Sequence, residues 1–200
     1  MQKRAEITDE ALLRAAAAVC TRVGYAHARL NTITTRAQVS HGRVVEPPFK
    51  EDLARAVIDA GSARFQIACR PVLASQTPAF EALIGISYLL LDPAVNDVLV
   101  RAKFRLITEI PDRPGSDTTL LPTWLSHYRE LTRRAITEHD LRADDPNAVA
   151  LLQVDTLVGV RVLAAATDRS ADLPVRLVTA WDLLLPGLVD PTKLATSMNS

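Results

Sequence analysis

Four consecutive residues, Ser40-His41-Gly42-Arg43, have the chemistry of a base-reading helix start. Arg43 can form a bidentate contact with guanine, and His41 can donate a hydrogen bond to a base or a phosphate. Ser40 can cap a helix, and Gly42 would let the backbone approach closely. Phosphate-contacting side chains are expected on the preceding predicted helix: Thr32, Thr35 and Arg36. Each of these polar residues could equally lie on a solvated surface.

The start of the chain carries a positive charge that the remainder balances. The whole chain has 23 basic and 23 acidic residues, whereas residues 1–45 hold seven basic and three acidic ones, a net +4. A basic segment of this kind gains sequence-independent affinity for phosphates. Chance clustering on a solvated surface is the alternative.

Helical periodicity predicts the elements that would position these residues. A first helix with Thr8 as its N-cap is expected to end at Gly24. Asn31 or Thr32 is expected to cap a second short helix, and Pro47-Pro48 would end the third after about one and a half turns. Two short helices joined by a tight turn favour a helix-turn-helix, although many helical bundles contain such pairs.

The remainder of the chain predicts an all-α body. A long helix is expected from Lys50 to Arg70, ending at Pro71. Five further helix-period segments follow, at 79–91, 94–109, 122–139, 146–166 and 172–185. No alternating strand pattern competes with them. We therefore predict a three-helix helix-turn-helix domain over residues 1–48 and a body of about six helices over residues 49–200.

Composition and motifs make several classes of protein improbable. No uninterrupted apolar run is long enough to span a bilayer, so a cytoplasmic protein without a membrane partner is expected. The two cysteines suggest neither a disulfide scaffold nor a metal cluster. The four histidines are dispersed, and His127 and Glu130 have a spacing more typical of a surface contact than of an acid/base pair. We expect no enzyme, no metal and no cofactor.

Several motifs in the first quarter of the chain keep a fixed register: Leu12 to Ala18, Val23-Gly24-Tyr25, Ile33, Ala37, Val39-Ser40-His41-Gly42 and Lys50-Glu51. In this register the chain resembles the N-terminal domain of TetR-family transcriptional regulators. That family continues with an aromatic residue and a His-Phe pair, which pack the recognition helix and touch phosphate. This chain has Val44 to Phe49 there, including Glu46, and is one residue shorter. The resemblance implies DNA binding, and the departure implies weaker binding.

A second set of motifs covers the C-terminal half: Asp145-Pro146, Gly159, Ala171-Asp172-Leu173, Trp181 and Leu185-Pro186-Gly187. This half resembles the γ-butyrolactone receptor branch of streptomycetes, whose members are homodimeric repressors released from DNA by a small lactone or furan signal. Receptors of this branch often have a threonine where this chain has Val158. Loss of one buried hydrogen bond costs on the order of 1 kcal/mol, so a hydroxylated lactone would bind less well. The resemblance therefore extends to the pseudo-receptors of this branch.

The resemblance places Trp124 at the position of the branch's pocket tryptophan, although an apolar stripe that includes Trp124 is as often core. A mainly apolar lining with few polar contacts would suit an alkyl-chain ligand. The candidate ligand-binding residues are Leu83, Ile86, Leu90, Phe104, Ile107, Trp124, Tyr128, Val158 and Val162. Each of them could equally belong to an ordinary core.

The last two predicted helices have more apolar edge than one short body can cover. Paired across a two-fold axis they would form a four-helix dimer interface. The candidate interface residues are Leu152, Thr156, Val160, Leu163, Leu177, Trp181 and Leu184.

Two functions follow from these resemblances. The first is a homodimeric repressor of secondary-metabolite (antibiotic) genes, with double-stranded operator DNA and a small hydrophobic γ-butyrolactone-like or furan-type effector as partners. The second is a pseudo-receptor, or a non-DNA-binding heterodimer partner, that modulates a paralogous receptor.

Overall fold

A computed structural model describes residues 2–39, 49–74, 76–110, 122–142, 145–167 and 169–189, with residues 2–9, 49, 122–124 and 170 described by their backbone only. Eight α-helices lie in these residues: α1 Gln2–His27, α2 Leu30–Ala37, α3 Phe49–Ala74, α4 Ala79–Leu89, α5 Val98–Glu109, α6 Pro122–Thr137, α7 Pro146–Ala166 and α8 Leu173–Leu188. The one β pairing in the described residues is an isolated bridge between Leu141 and Val189. The predicted all-α class is confirmed.

The chain divides into two compact units. Unit 1 comprises Met1–Ala68 and Pro93–Leu120, and unit 2 comprises Cys69–Asp92 and Leu121–Ser200. The first unit is larger than the predicted domain 1–48 because α5 and most of α3 share a core with α1. The division of functions at residue 48 stays a prediction.

Small residues let the helices of unit 1 approach one another closely. Ala15, Ala16 and Ala17 of α1 are buried in a core that also contains Val57 of α3 and Leu106 of α5. At Gly61 of α3, an added Cβ would lie only 2.5 Å from the carbonyl oxygen of Leu99 on α5. Since backbone atoms cannot be bypassed by a rotamer change, only glycine permits this approach.

Unit 2 is a helical layer in which α6 packs against α4 and α7, and α7 packs against α8. The Asp145 carboxylate caps α7 by accepting from the backbone N–H of Asn147 at 2.8 Å. Arg142 ties the preceding turn to the end of α8 by donating to the carbonyl oxygens of Pro186 and Gly187 at 3.1 and 3.0 Å. Among the described helices, α7 alone has the length and apolar composition of a membrane span, which core helices of soluble proteins also have.

The helix ends correct four expectations. The first helix begins at Gln2, so Thr8 is not its N-cap. The second begins at Leu30 after an extended Arg29, which places Asn31 and Thr32 inside the helix. The long helix that was expected to end at Pro71, α3, continues through it to Ala74, and α8 continues through Pro186 to Leu188. A proline near a helix end removes one backbone hydrogen bond without ending the helix.

We predict that Gly61→Ala destabilises the protein, by about 1–3 kcal/mol for an overpacked core. Gly85→Ala is the matched control, because the nearest atom to a Cβ there is Val72 Cγ1 at an ordinary 3.9 Å. A helical Gly→Ala change without a clash should be neutral or stabilising. Thermal unfolding followed by circular dichroism would show the contrast, and equal melting temperatures for the two variants would contradict it.

Candidate functional site

The outer face of α2 in unit 1 presents a set of polar side chains. Thr32, Thr35 and Arg36 are exposed, whereas Ile33 and Thr34 are buried. The three exposed residues line a groove of about 460 Å³ together with Asn31 of the same helix and Arg22 and Val19 of α1. Hydroxyl, amide and guanidinium donors on one accessible face have the composition of a phosphate-contacting surface. The structure therefore brings the three predicted residues together.

Arg22 is a candidate that the sequence analysis missed as a site residue. It is exposed on α1, and it lines both the groove on α2 and an adjacent groove of about 680 Å³ whose basic residues are Arg14, Arg22, Arg36 and Arg101. Arg14 forms ion pairs with Glu10 and Asp97. Among the described residues no hydrogen bond or ion pair engages the guanidinium of Arg22 or Arg36. These two charges are therefore available to an anionic partner.

A kink in α1 at Gly24 fixes the direction in which the chain enters α2. Gly24 has φ +78°, and a Cβ there would lie 2.9 Å from Arg105 Nη2 on α5. The Tyr25 backbone N–H donates to the Glu109 carboxylate, which also accepts from Arg105 Nε at 2.8 Å. Arg105 Nη1 donates to the Thr21 carbonyl oxygen at 2.8 Å. The Arg105–Glu109 pair thus holds both sides of the kink.

The thiol and the phenol beside this kink are both held neutral. Burial raises the pKa of Cys20 to about 11, and the negative charge of Glu109 adds to the increase. Burial, followed by the charge of Glu51, also raises the pKa of Tyr25. The Tyr25 ring lies 4.6 Å from Lys50 Nζ, which donates to the Ala26 carbonyl oxygen at 3.2 Å. Because a thiol with this pKa is protonated at neutral pH, Cys20 packs in the core and lacks a nucleophile's ionisation.

Residues Ser40, His41, Gly42 and Arg43 lie outside the described residues. Their base-reading role stays a prediction. Helix α2 ends at Ala37, and its C-cap residue Gln38 has a left-handed φ of +56° and donates its backbone N–H to the carbonyl oxygens of Thr34 and Thr35. The helix therefore ends at Gln38-Val39, where the sequence predicts the tight turn.

The candidate ligand-binding residues of unit 2 lie in or beside its interior. Leu83, Ile86 and Leu90 are buried, as is Tyr128 of α6. Val158 and Val162 of α7 are half-buried. The Trp124 side chain lies outside the described residues. The contact of these seven candidate residues with a ligand stays a prediction.

Two further candidate ligand-binding residues, Phe104 and Ile107, lie in unit 1. Phe104 is buried with its ring edge-on to Phe65, at a centroid distance of 6.1 Å. The buried Lys103 ammonium lies 4.8 Å from the Phe104 ring and 5.3 Å from the Phe65 ring. Ile107 packs against the core of unit 1. Ile107 therefore contributes to the core that α5 shares with α1 and α3. The ligand contacts assigned to Phe104 and Ile107 stay predictions.

The predicted interface residues on α7 and α8 differ in their exposure within the single chain. Leu152 and Leu163 are exposed, and Thr156, Val160 and Leu184 are half-buried. By contrast, α8 buries Leu177 and Trp181 on one stripe within the chain. The assignment of all seven residues to a dimer interface stays a prediction. The exposed large apolar residues of the two helices are Leu151, Leu152, Leu163, Val175, Val178 and Leu183.

The histidine and glutamate singled out on α6 lie at or near the surface. Glu130 is exposed and forms an ion pair with Arg133, and His127 is half-buried. Among the described residues no group of three His, Cys, Asp or Glu side chains could hold a metal ion.

Comparison with protein-family models matches residues 77–190 to the family described as "Tetracyclin repressor-like, C-terminal domain". A comparison with curated proteins finds no similar sequence.

Three solved structures are similar over nearly the whole chain. A γ-butyrolactone receptor (ArpA-like protein) has a TM-score of 0.75 and 26% identity, covering 96% of this chain and 93% of that one. CprB from Streptomyces coelicolor, in complex with its biological operator sequence, has a TM-score of 0.73 and 29% identity, with coverages of 96% and 94%. TylP, a TetR regulator from Streptomyces fradiae, has a TM-score of 0.70 and 28% identity, with coverages of 96% and 92%. The predicted TetR-like architecture and the resemblance to γ-butyrolactone receptors are confirmed.

We predict that Glu109→Ala lowers the free energy of unfolding by about 0.5–1.5 kcal/mol, the net contribution of an intramolecular hydrogen bond. Hydrogen exchange of the Tyr25 amide should also become faster. Glu130→Ala is the control, because it removes an exposed ion pair on α6 that is worth about 0–1 kcal/mol. Denaturant unfolding together with amide exchange tests both. Equal stability of the two variants, with unchanged exchange at Tyr25, would show that the pair does not hold the kink.

Proposed function

The chain belongs to the TetR family of transcriptional regulators, and we propose that it is a repressor that a small molecule releases from operator DNA. The observation that carries the DNA-binding part is the exposed surface where Arg22 and Arg36 flank Thr32 and Thr35. Such donors would supply the non-specific, salt-dependent part of the affinity. The similarity to CprB, whose structure contains its operator, supports this assignment.

Specific recognition would come from the residues that follow α2. We assign base contacts to Ser40, His41 and Arg43, with Arg43 reading guanine. Gly42 would let the helix backbone approach the DNA. The surface of α1 and α2 would then set the register on the duplex, since phosphate contacts position a protein without reading sequence.

The proposed effector is a small hydrophobic molecule of the γ-butyrolactone or furan type, with no resident cofactor. The buried apolar residues of α4 and α6, such as Leu83, Ile86 and Tyr128, support an apolar ligand. The similarity to a γ-butyrolactone receptor supports the chemical class. Release requires that the effector bind the DNA-free state more tightly than the DNA-bound state. We assign the regulated genes to secondary-metabolite (antibiotic) production and the protein to the cytoplasm.

A homodimer would match a palindromic operator, because a two-fold axis repeats one reading head at two half-sites. The exposed apolar side chains of α7 and α8, including Leu163 and Leu183, support a partner surface there. Exposed apolar groups that cluster on two packed helices mark an interaction site more often than scattered single residues do.

A second candidate function is a pseudo-receptor or heterodimer partner that modulates a paralogous receptor. The observation that favours it is the segment Val44 to Pro48, which replaces the aromatic residue and the histidine of the family pattern and adds Glu46. A homodimer of this kind would show no salt-dependent shift of a palindromic operator from its own gene neighbourhood. Tight and specific binding to that operator would rule it out.

For the repressor, we predict that Arg22→Ala and Arg36→Ala each weaken binding equally on specific and unrelated DNA. The slope of log K against log salt is negative, and each substitution should make it shallower by about 1, since one phosphate contact is lost. Arg43→Ala should instead relax sequence preference. Mobility shifts over a salt series, with and without culture extract, measure these effects and ligand release together. The control is Arg133→Ala on α6, which should change neither slope nor preference.

We predict that Leu163→Glu on α7 converts the dimer to a monomer in sedimentation velocity, because a carboxylate would be buried at the interface without a partner. Ile67→Glu on α3 is the matched control: both side chains are 58% exposed in the single chain. A dimer that survives Leu163→Glu, or dissociates equally with Ile67→Glu, would move the interface elsewhere.

A further inference from the structure

Gln153 on α7 is a buried carboxamide whose hydrogen-bonding capacity is unused. The residue is 3% exposed, and neither Nε2 nor Oε1 has a hydrogen-bond partner among the described residues. A carboxamide can donate two hydrogen bonds and accept two. Buried polar groups are nearly always paired, so a glutamine left in this state calls for a partner that the described residues do not supply.

The buried stripe of α7 that contains Gln153 is mostly apolar. The other buried residues of this helix are Val149, Ala150, Val154, Leu157, Arg161 and Ala164. The helix packs against α6, where Tyr128 and Leu131 are buried. An amide in such surroundings cannot obtain hydrogen bonds from bulk water, and its polar atoms therefore bind a complementary group strongly when one enters.

The two buried hydroxyl residues of unit 2, Thr132 and Ser87, show the contrast. The Thr132 hydroxyl donates to the Tyr128 carbonyl oxygen of its own helix at 2.7 Å. The Ser87 hydroxyl likewise donates to the Leu83 carbonyl oxygen at 3.3 Å. Both hydroxyls have a hydrogen-bond partner within their own helix, so neither needs a ligand to complete its hydrogen bonding. Gln153 has no such local partner in the described chain.

We propose that Gln153 is the polar contact for the head group of the effector and sets its chemical class. This inference rests on the proposed function, which brings a small ligand into unit 2. The amide offers a donor and an acceptor side by side. Its best complement is therefore a head group that presents an acceptor next to a donor, as a lactam or a lactone with an adjacent hydroxyl does. A plain lactone carbonyl would satisfy only the donor and leave Oε1 unpaired.

Gln153 lies at a different position on α7 from Val158, where related receptors often have a ligand-binding threonine by the resemblance described above. Gln153 precedes Val158 by five residues, which is about 7.5 Å along the helix and about 140° around it. The amide therefore cannot replace that hydroxyl atom for atom. A ligand held by Gln153 would lie differently on α7 and would be selected for a different head group.

The test compares two probes of equal shape, γ-decalactone and its lactam 5-hexylpyrrolidin-2-one, which differ only in ring oxygen against ring N–H. Isothermal titration calorimetry gives the ratio of the lactone Kd to the lactam Kd for the full-length protein. We expect this ratio to fall at least tenfold in both Gln153→Leu and Gln153→Met, which keep the volume and lose the amide. Gln66→Leu on α3 is the control and should keep the wild-type ratio.

The inference fails if the ratio is unchanged in both variants, or if the wild-type protein binds neither probe. A variant that melts at a temperature equal to or above the wild type would confirm that the amide is not needed for folding, because removing unpaired polar atoms should not destabilise. Melting well below the wild type in both variants would show that the amide has a structural role and would overturn the inference. The repressor function is judged separately, by the ligand-free operator shift.

Discussion

The close approach of α5 to α1 and α3 is the constraint on which unit 1 depends. Alanines on α1 and Gly61 on α3 remove the side chains that would keep these helices apart. At the end of α5, Arg105 and Glu109 then reach the backbone of α1 at Thr21 and Tyr25. Because these are directional contacts to the main chain, they define the kink at Gly24 more sharply than apolar packing alone could.

The position of α2 follows from that kink. Only Ala28 and Arg29 separate α1 from α2, so the direction of α1 after Gly24 largely sets that of the short helix. Its inner face is fixed by the burial of Ile33 and Thr34, which leaves its threonines and arginine outward beside Arg22. The surface that we propose to face DNA is thus built from helices of unit 1. The same arrangement explains why the proposed phosphate contacts come from two helices.

Sequence reasoning located most helices because their apolar periodicity and caps are local signals. Asp145-Pro146 predicted the start of α7 at the residue where it begins.

The start of the second helix was predicted wrongly, because Arg29 precedes it in an extended conformation without a capping side chain. The inward rotation of α8, which buries Leu177 and Trp181, depends on packing and is invisible in a stripe of apolar residues. The same is true of Phe104 and Ile107, whose unit is decided by long-range contacts. Arg22 was counted only as charge, because nothing local to α1 shows that α2 lies beside it.

The central claim is that the surface of α1 and α2 in unit 1 meets operator DNA. Hydrogen–deuterium exchange of the full chain, with and without a palindromic operator from its own gene neighbourhood, tests it most directly. We predict that the operator slows exchange in peptides spanning residues 28–39, with no change in peptides from the exposed side of α6 around Glu130. Slowed exchange at α6 with none in residues 28–39, or none anywhere at saturating operator, would contradict the account.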